Sequence, residues 1–520
     1  MSYLTIHTRK GMTAYRAVKS WLKEQIITLK LNTPIGYALC SVIGIVLSVI
    51  ACNIGLKFSI VLLGVIIGIP TVFACLFNLQ FGLITMTLIA FTIQYFKKIT
   101  DIPIGIALDI LLVIMFFGMF IKQIQERDWS FAKSPISFWI FIWVFLNLIQ
   151  AINPVAASQT AWMYTVRSMA GLILLYFIAC YAFSSLQYIK LVFKILVAIA
   201  VFNALYGFYQ EFRGFTNYEI AWLYAEKERF QLVFQWGRLR IFSTFGDPTT
   251  FSIYTVYMGM FCAIMLIAPI KWWKRFALAI AAIMLFWVTA YTGTRTAFVL
   301  LPAGFFFFTL MTFRKETILL AFALLLFGGV LVLKSTGNPV IYRIQSAFKP
   351  NEDPSMQLRL RNQAFIQPFI RKHPMGAGLG STGLWGQRFT PDSFLAHFAH
   401  DSGLVRIAIE LGWIGLIVYC ISLFVSLKQC IYYYFRVKDP TIKMMYLAIA
   451  NILFVLTLAS YPQEAIVQLP TSIVFYICLA AVVRLKDFDT EMIAEKGAER
   501  VDVEEDRVYP IKVERQVEII

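Results

Sequence analysis

Charged side chains are scarce in this sequence. Asp, Glu, Lys and Arg make up 14% of 520 residues and there are only four histidines, against 59% hydrophobic residues and a mean hydropathy of +0.72. That balance excludes an ordinary soluble globular domain. Metal-ligating and disulfide patterns are also missing. The eight cysteines lie mostly inside apolar runs and form no CxxC or Cys/His pattern, so neither a disulfide framework, nor a structural metal, nor any cofactor is expected. The first thirty residues, with Arg9, Lys10, Arg16, Lys19, Lys23 and Lys30, lack a signal-peptide core and a small-residue cleavage site. They read as a basic segment lying on anionic lipid. Acidic residues are fewer than basic ones, 29 against 46, which leaves a net charge of +17. Nucleic acid is not the expected partner, because basic residues in an apolar chain mark cytoplasmic loops.

What the sequence has in abundance is apolar runs long enough to cross a bilayer. Counting stretches that approach about 20 residues gives about fourteen spans, among them Pro34–Cys52, Phe58–Phe77, Phe251–Ile270, Leu404–Leu427 and Ile466–Val483. The expected fold is all-α: a polytopic transmembrane helical bundle with a long, partly helical extracytoplasmic loop. Its divisions are a cytoplasmic basic segment (1–33), an N-terminal bundle (34–209), a first extracytoplasmic loop (210–248), central spans (249–333), the long loop (334–400), C-terminal spans (401–483) and a charged cytoplasmic tail (484–520). With the basic N-terminus inside and an even count of spans, most Lys/Arg clusters fall in the cytoplasm; Lys57, Lys97, Lys98 and Arg167 are the exceptions.

The same parity leaves arginines outside: Arg213, Arg238 and Arg240 in the first loop, Arg343, Arg359, Arg361 and Arg371 in the second. Arg295 sits in Tyr291-Thr-Gly-Thr-Arg-Thr-Ala297, a very short turn between two apolar runs. The second loop then runs through His400 and Asp401 into an apolar helix carrying Arg406 and Glu410. Ionisable groups at a membrane boundary are disfavoured by several kcal/mol or are forced to pair, so this stretch reads as a functional site. Guanidinium forks bind phosphate bidentately and stay charged, and histidine exchanges a proton near neutrality. Together they suit an anionic diphosphate leaving group and a hydroxyl nucleophile.

These residues carry a resemblance. Gly293-Thr-Arg295-Thr-Ala, Arg238-Leu-Arg240-Ile-Phe-Ser-Thr-Phe-Gly246-Asp247-Pro248, the pair Arg359-Leu-Arg361 followed by His373-Pro374-Met-Gly376-Ala-Gly378-Leu-Gly380, and His400-Asp401 with Glu410, Gly412 and Gly415 are similar, in order and spacing, to motifs of the O-antigen ligase/polymerase superfamily of bacterial envelope enzymes. The resemblance runs from about Arg238 to Gly415; the earlier spans support only a membrane scaffold. It implies a metal-independent glycosyltransferase of the bacterial cytoplasmic membrane. Such an enzyme moves a glycan from an undecaprenyl-diphosphate carrier to a hydroxyl of an acceptor glycan or lipid at the extracytoplasmic face, with membrane lipids around it. By the same resemblance His400 is the base or acceptor-orienting group with Asp401 beside it, and Arg240, Arg295 and one of Arg359/Arg361 clamp the diphosphate. Arg406, Glu410, Gly412 and Gly415 support them. Asp401 stands where the family has Asn, and an ionised Asp401 favours the imidazolium form of His400.

Plainer readings stand beside these. His400 is also accounted for as a loop residue before a helix capped by Asp401 or Ser402. Arg406 and Glu410, four apart on one face, read first as an internal ion pair. Gly376, Gly378 and Gly380 fit a tight turn as well as a phosphate cradle. Trp222, Trp236 and Trp385 serve as interface residues or as sugar-stacking surfaces, and Asp487-Phe-Asp489, a DxD, is discounted as a metal site because it falls in the cytoplasmic tail. A lipid-linked oligosaccharide flippase is the alternative function, although no internal repeat is visible.

Overall fold

The computed structural model describes residues 68–99, 105–235, 237–333, 354–400 and 402–508, with scattered positions between 33 and 49 and at 345 and 348. The chain divides into two compact units, Met1–Gly82 with Phe117–Asp128 and Leu83–Phe116 with Trp129–Ile520. Every site residue considered below lies in the second.

The described residues are overwhelmingly helical. In order the helices are α1 (Leu79–Ile99), α2 (Gly105–Glu126), α3 (Pro135–Ile149), α4 (Gln159–Met169), α5 (Leu174–Ala182), α6 (Leu186–Arg213), α7 (Asn217–Tyr224) and α8 (Lys227–Val233). A two-stranded antiparallel hairpin, β1 (Phe234–Gln235) and β2 (Arg238–Leu239), precedes α9 (Pro248–Met265), α10 (Trp272–Thr292), α11 (Arg295–Thr312) and α12 (Lys315–Leu333). Then come α13 (Pro354–Lys372), α14 (Gly383–Phe389), α15 (Gly403–Glu410), α16 (Gly412–Arg436), α17 (Pro440–Ala459) and α18 (Thr471–Val508). Short polar residues start them: the side chains of Ser134, Ser158, Ser185, Asp247, Ser402 and Asp439 each accept from backbone N–H groups of the first turn, and Pro follows three of these caps.

Among the described residues nine helices are long and apolar enough to span a membrane, so an all-α polytopic membrane protein is the architecture while the count of about fourteen is not reached. The runs Pro34–Cys52 and Phe58–Phe77 lie largely outside the described residues, with Gly68–Phe77 as a short apolar helix. The run Leu404–Leu427 does not form one span. It breaks at Leu411, and Gly412 adopts a left-handed φ of +72° with Pro374 O where a β-carbon would stand, so only glycine fits and the helix restarts as α16. The polar stretch after Val483 continues helix α18 to Val508.

Helix α9 occupies the centre of the second unit, against α10, α11 and α17. Tyr254, Tyr257, Thr250, Ser252 and Thr255 make it less apolar than its neighbours, yet all five are buried. The hydroxyls of Thr250, Ser252, Tyr254 and Thr255 find partners in protein, as in the 2.8 Å contact of Thr255 Oγ1 with Thr289 Oγ1. Close approach comes from Gly259, where a β-carbon would stand 2.5 Å from the Phe286 ring. Tail residue Asp489 accepts from the N–H groups of Lys438 and Asp439, and Asp487 pairs with Arg484 at 2.7 Å. Both acids of the DxD therefore have structural partners.

Candidate active site

Two clusters of charge meet on the loops of the second unit, and the first is built by a buried loop. Ile241, Phe242, Ser243, Thr244 and Phe245 are all buried, which obliges their backbone to find partners. Gln210 Oε1 accepts from the N–H of Phe242 and Ser243, and Lys98 Nζ donates to Ser243 O at 3.1 Å while lying 4.1 Å from the Phe242 ring. Lys98, an exception to the charge rule, thus holds this loop; Arg167, another, pairs with Asp109 at 3.2 Å. Asp247 ends the loop by accepting from the N–H of Thr249 and Thr250, a cap of the kind that contributes about 1 kcal/mol.

Arg240 leads into that loop and is 7% exposed. Its Nε donates to Thr292 O at 2.7 Å, Nη2 to Thr294 Oγ1 at 2.6 Å and Nη1 to Leu232 O at 3.3 Å. None of these partners is a carboxylate. Burial lowers its pKa to about 10, with the Asp247 carboxylate opposing the shift and the Arg295 charge adding to it. The turn it grips joins α10 to α11: Gly293 closes α10 in the left-handed region at φ +57°, and Arg295 is the first residue of α11. A cation at a helix N-terminus faces the positive end of the helix dipole, so an anion there is doubly favoured. The structure therefore brings Arg240 and Arg295 together, with Arg240 spent on holding the Arg295 turn.

The second cluster centres on Glu464, in the loop between α17 and α18. His400 Nε2 lies 2.6 Å from its Oε1, and Arg406 Nη1 donates to its Oε2 at 2.6 Å. Arg406 Nε also pairs with Glu410 Oε1 at 3.2 Å, and Thr382 Oγ1 donates to the same oxygen at 2.7 Å. Burial works against ionisation of Glu464, but the His400 hydrogen bond and the Arg406 charge outweigh it and hold the carboxyl at about 2. For Arg406 burial is likewise outweighed, by Glu410 and Glu464, and its pKa is raised. His400 Nδ1 and Glu410 Oε2 are shielded from solvent and make no hydrogen bond among the described residues.

Supporting residues fix this cluster from below. Ala377 N and Gly378 N donate to Ile409 O and Glu410 O. Gly376, Gly378 and Gly380 have φ of +72°, +92° and +77°, and β-carbons there would stand 2.5 Å from Gly412 N, Ala156 Cβ and Thr165 Oγ1 respectively. The glycines pack a tight turn onto the Glu410–Gly412 break and onto α4; they leave no room for a phosphate. Gly415 is buried one turn into α16, where a β-carbon would meet the Leu411 side chain at 2.3 Å.

The α17–α18 loop ties the clusters together. Thr250 Oγ1 lies 2.6 Å from both Asp247 Oδ2 on the arginine side and Gln468 Oε1, four residues beyond Glu464. Helix α13 approaches from another direction: Asn362 Nδ2 donates to Ala399 O at 3.1 Å, and Ile366 packs with Ala377, Leu395 and Ile409. Arg359 shares the face of Asn362 and Ile366 and its Nε is shielded without a partner among the described residues, whereas Arg361 is exposed. Asp401 and Trp236 lie outside the described residues. Trp222 is covered by Arg229, 4.1 Å from its ring, and packs on Phe242. Trp385 stacks on Tyr164 at 4.7 Å, with Phe389 beside them.

Sequence reasoning missed Glu464, Thr382 and Gln468. A signal for Glu464 existed: it is a lone carboxylate in Tyr461-Pro-Gln-Glu464-Ala, a short link between two apolar runs on the side that parity gives to His400. Residues 279–420 match the family model described as O-antigen ligase, a segment that includes Arg295, Arg359, His400, Arg406 and Glu410. No curated protein matches the chain. That match lies over the residues just described and supports a likeness of this segment to the O-antigen ligase/polymerase superfamily.

Proposed function

We propose that the protein transfers a glycan from a polyprenyl-diphosphate carrier, of the undecaprenyl type, to an acceptor hydroxyl at the extracytoplasmic face of the bacterial cytoplasmic membrane. Breaking the anomeric bond to the diphosphate leaves negative charge on the departing oxygen. Arg295, at a helix N-terminus and with Arg240 behind it, supplies positive charge for that oxygen. Arg359 adds a second guanidinium from α13. In this reading the guanidinium groups take the part that a divalent cation plays in many other transfers with a diphosphate leaving group, and His400 takes the proton of the acceptor hydroxyl. Trp385, stacked on Tyr164 and two residues past Gly383, offers a flat apolar face suited to a sugar ring.

The observation that carries the reading is the tie between the clusters: one loop reaches His400 through Glu464 and the arginine side through Gln468 and Thr250. The test is transfer from an undecaprenyl-diphosphate glycan by the full chain in proteoliposomes, with and without EDTA. Both His400→Ala and Arg295→Ala are expected to lose transfer by a factor on the order of 10²–10³, and EDTA is expected to leave the parent unchanged. Transfer surviving both substitutions refutes the site. Movement of the lipid-linked glycan across the vesicle without a covalent product favours a flippase.

A further inference from the structure

Resting on that transfer reading, we infer that Glu464, held by Arg406, is the positioning residue of His400: it keeps a hydrogen on Nε2 and leaves Nδ1 as the nitrogen that takes the acceptor proton. A 2.6 Å contact between an imidazole nitrogen and a carboxylate oxygen requires a hydrogen between them. Arg406 occupies the other oxygen of the same carboxylate, so Glu464 is ionised and has no hydrogen to give. The hydrogen is therefore on Nε2, and a neutral imidazole so pinned carries its lone pair on Nδ1. That atom is shielded and makes no hydrogen bond among the described residues. The ring lies beside Gly383, where an added β-carbon would stand 3.5 Å from His400 Cε1.

The charges facing His400 from its surroundings are Glu464 from the α17–α18 loop and Arg406 from α15, with Glu410 behind Arg406; Arg359 comes from the face of α13 that docks on Ala399. Glu410 is fully buried and its charge is shared between Arg406 and Thr382, which leaves Glu464 as the carboxylate in contact with the imidazole. In the transfer the acceptor oxygen bonds to the anomeric carbon as the bond from that carbon to the diphosphate oxygen breaks, its electron pair leaving with the lipid diphosphate. The hydroxyl proton passes to Nδ1, the imidazolium is stabilised by Glu464, and the proton is then released to water. This division of labour follows the general logic of a base oriented by a third group. It assigns to Glu464 the place beside His400 that the resemblance implied for Asp401.

The test compares Glu464→Gln and Glu464→Asp with the parent in proteoliposomes, reading kcat, the donor KM and the pH dependence of kcat/KM. Glu464→Gln is expected to lower kcat by a factor on the order of 10²–10⁴ with donor KM little changed. The acid limb of kcat/KM is expected to move to lower pH, because the imidazolium form loses its carboxylate partner. Glu464→Asp keeps the charge, so its limb stays in place while kcat falls less. A merely structural Glu464 lowers the active fraction without moving the limb, and that result overturns the inference. Should Glu464→Gln fail to fold, a displaced limb in Glu464→Asp overturns it as well. If His400→Ala itself keeps full transfer, the underlying transfer reading fails. Loss in His400→Ala with an unaffected Glu464→Gln sinks only the pairing.

Discussion

Arg240 is buried and Arg406 half-buried, and the two guanidinium groups are treated in opposite ways. Arg406 bonds to two carboxylates, and its pKa is raised. Arg240 bonds to two carbonyls and a hydroxyl, lies near a second arginine, and is lowered to about 10. In the Arg406 cluster positive charge is consumed by the protein itself. Around Arg240 the bonded partners are neutral and the Arg295 charge is near, so an anion bound there is favoured. One cluster binds its own carboxylates, and the other sets two guanidinium groups near each other.

Removing Arg406 breaks that contrast most severely. Arg406→Met leaves Glu410 and Glu464 without their shared cation in surroundings where Glu410 has no access to water. Stripping one partner from a buried ionic cluster typically costs about 3–5 kcal/mol. A large fall in the thermal unfolding temperature in detergent, together with loss of transfer, is the expected result. The pH dependence carries a sign. Glu464 ionises at about 2 in the folded protein against 4.5 ordinarily, so its contribution is fully present above about pH 4.5 and is lost as pH falls toward 2. In Arg406→Met the acid limit of folding is expected to rise; an unchanged limit removes Arg406 as the group holding Glu464 ionised.

The contrast also explains how much was legible in the sequence. Helical spans follow from apolar runs, and their caps from Ser or Asp placed before Pro or the first turn, so most of the bundle was readable. Arg295 stood out because a very short turn between two apolar runs leaves a charge little room. The break of the Leu404–Leu427 run was not readable, since it depends on Pro374 O occupying the space beside Gly412, a contact between residues 38 apart in number (412 − 374). Glu464 escaped for a similar reason. Its partners His400 and Arg406 are 64 and 58 residues away, and nothing local marks a glutamate as their counterpart. The Arg359/Arg361 choice likewise waited on which face α13 turns toward Ala399.

An anion probes the Arg240–Arg295 cluster directly. Inorganic diphosphate is expected to raise the unfolding temperature of the parent, as any ligand binding only the folded state does. Arg295→Lys is expected to lose most of that protection because a point charge lacks the bidentate fork, while Arg406→Met keeps whatever protection its folded fraction allows. Equal protection of parent and Arg295→Lys would mean that Arg295 is not where the diphosphate sits.

The smallest effect is the sharpest on position. Arg359 and Arg361 are two residues apart on one helix, so composition and charge change alike when either becomes Ala; the face differs. Arg359 shares its face with Asn362 and Ile366, which anchor α13 to Ala399 and to the core beneath His400, whereas Arg361 is exposed. Arg359→Ala is therefore expected to raise the donor KM about tenfold, the loss of roughly 1.4 kcal/mol of binding, with Arg361→Ala within a factor of about two of the parent. A reversed order would place the diphosphate on the outer face of α13 and detach that helix from the His400 site.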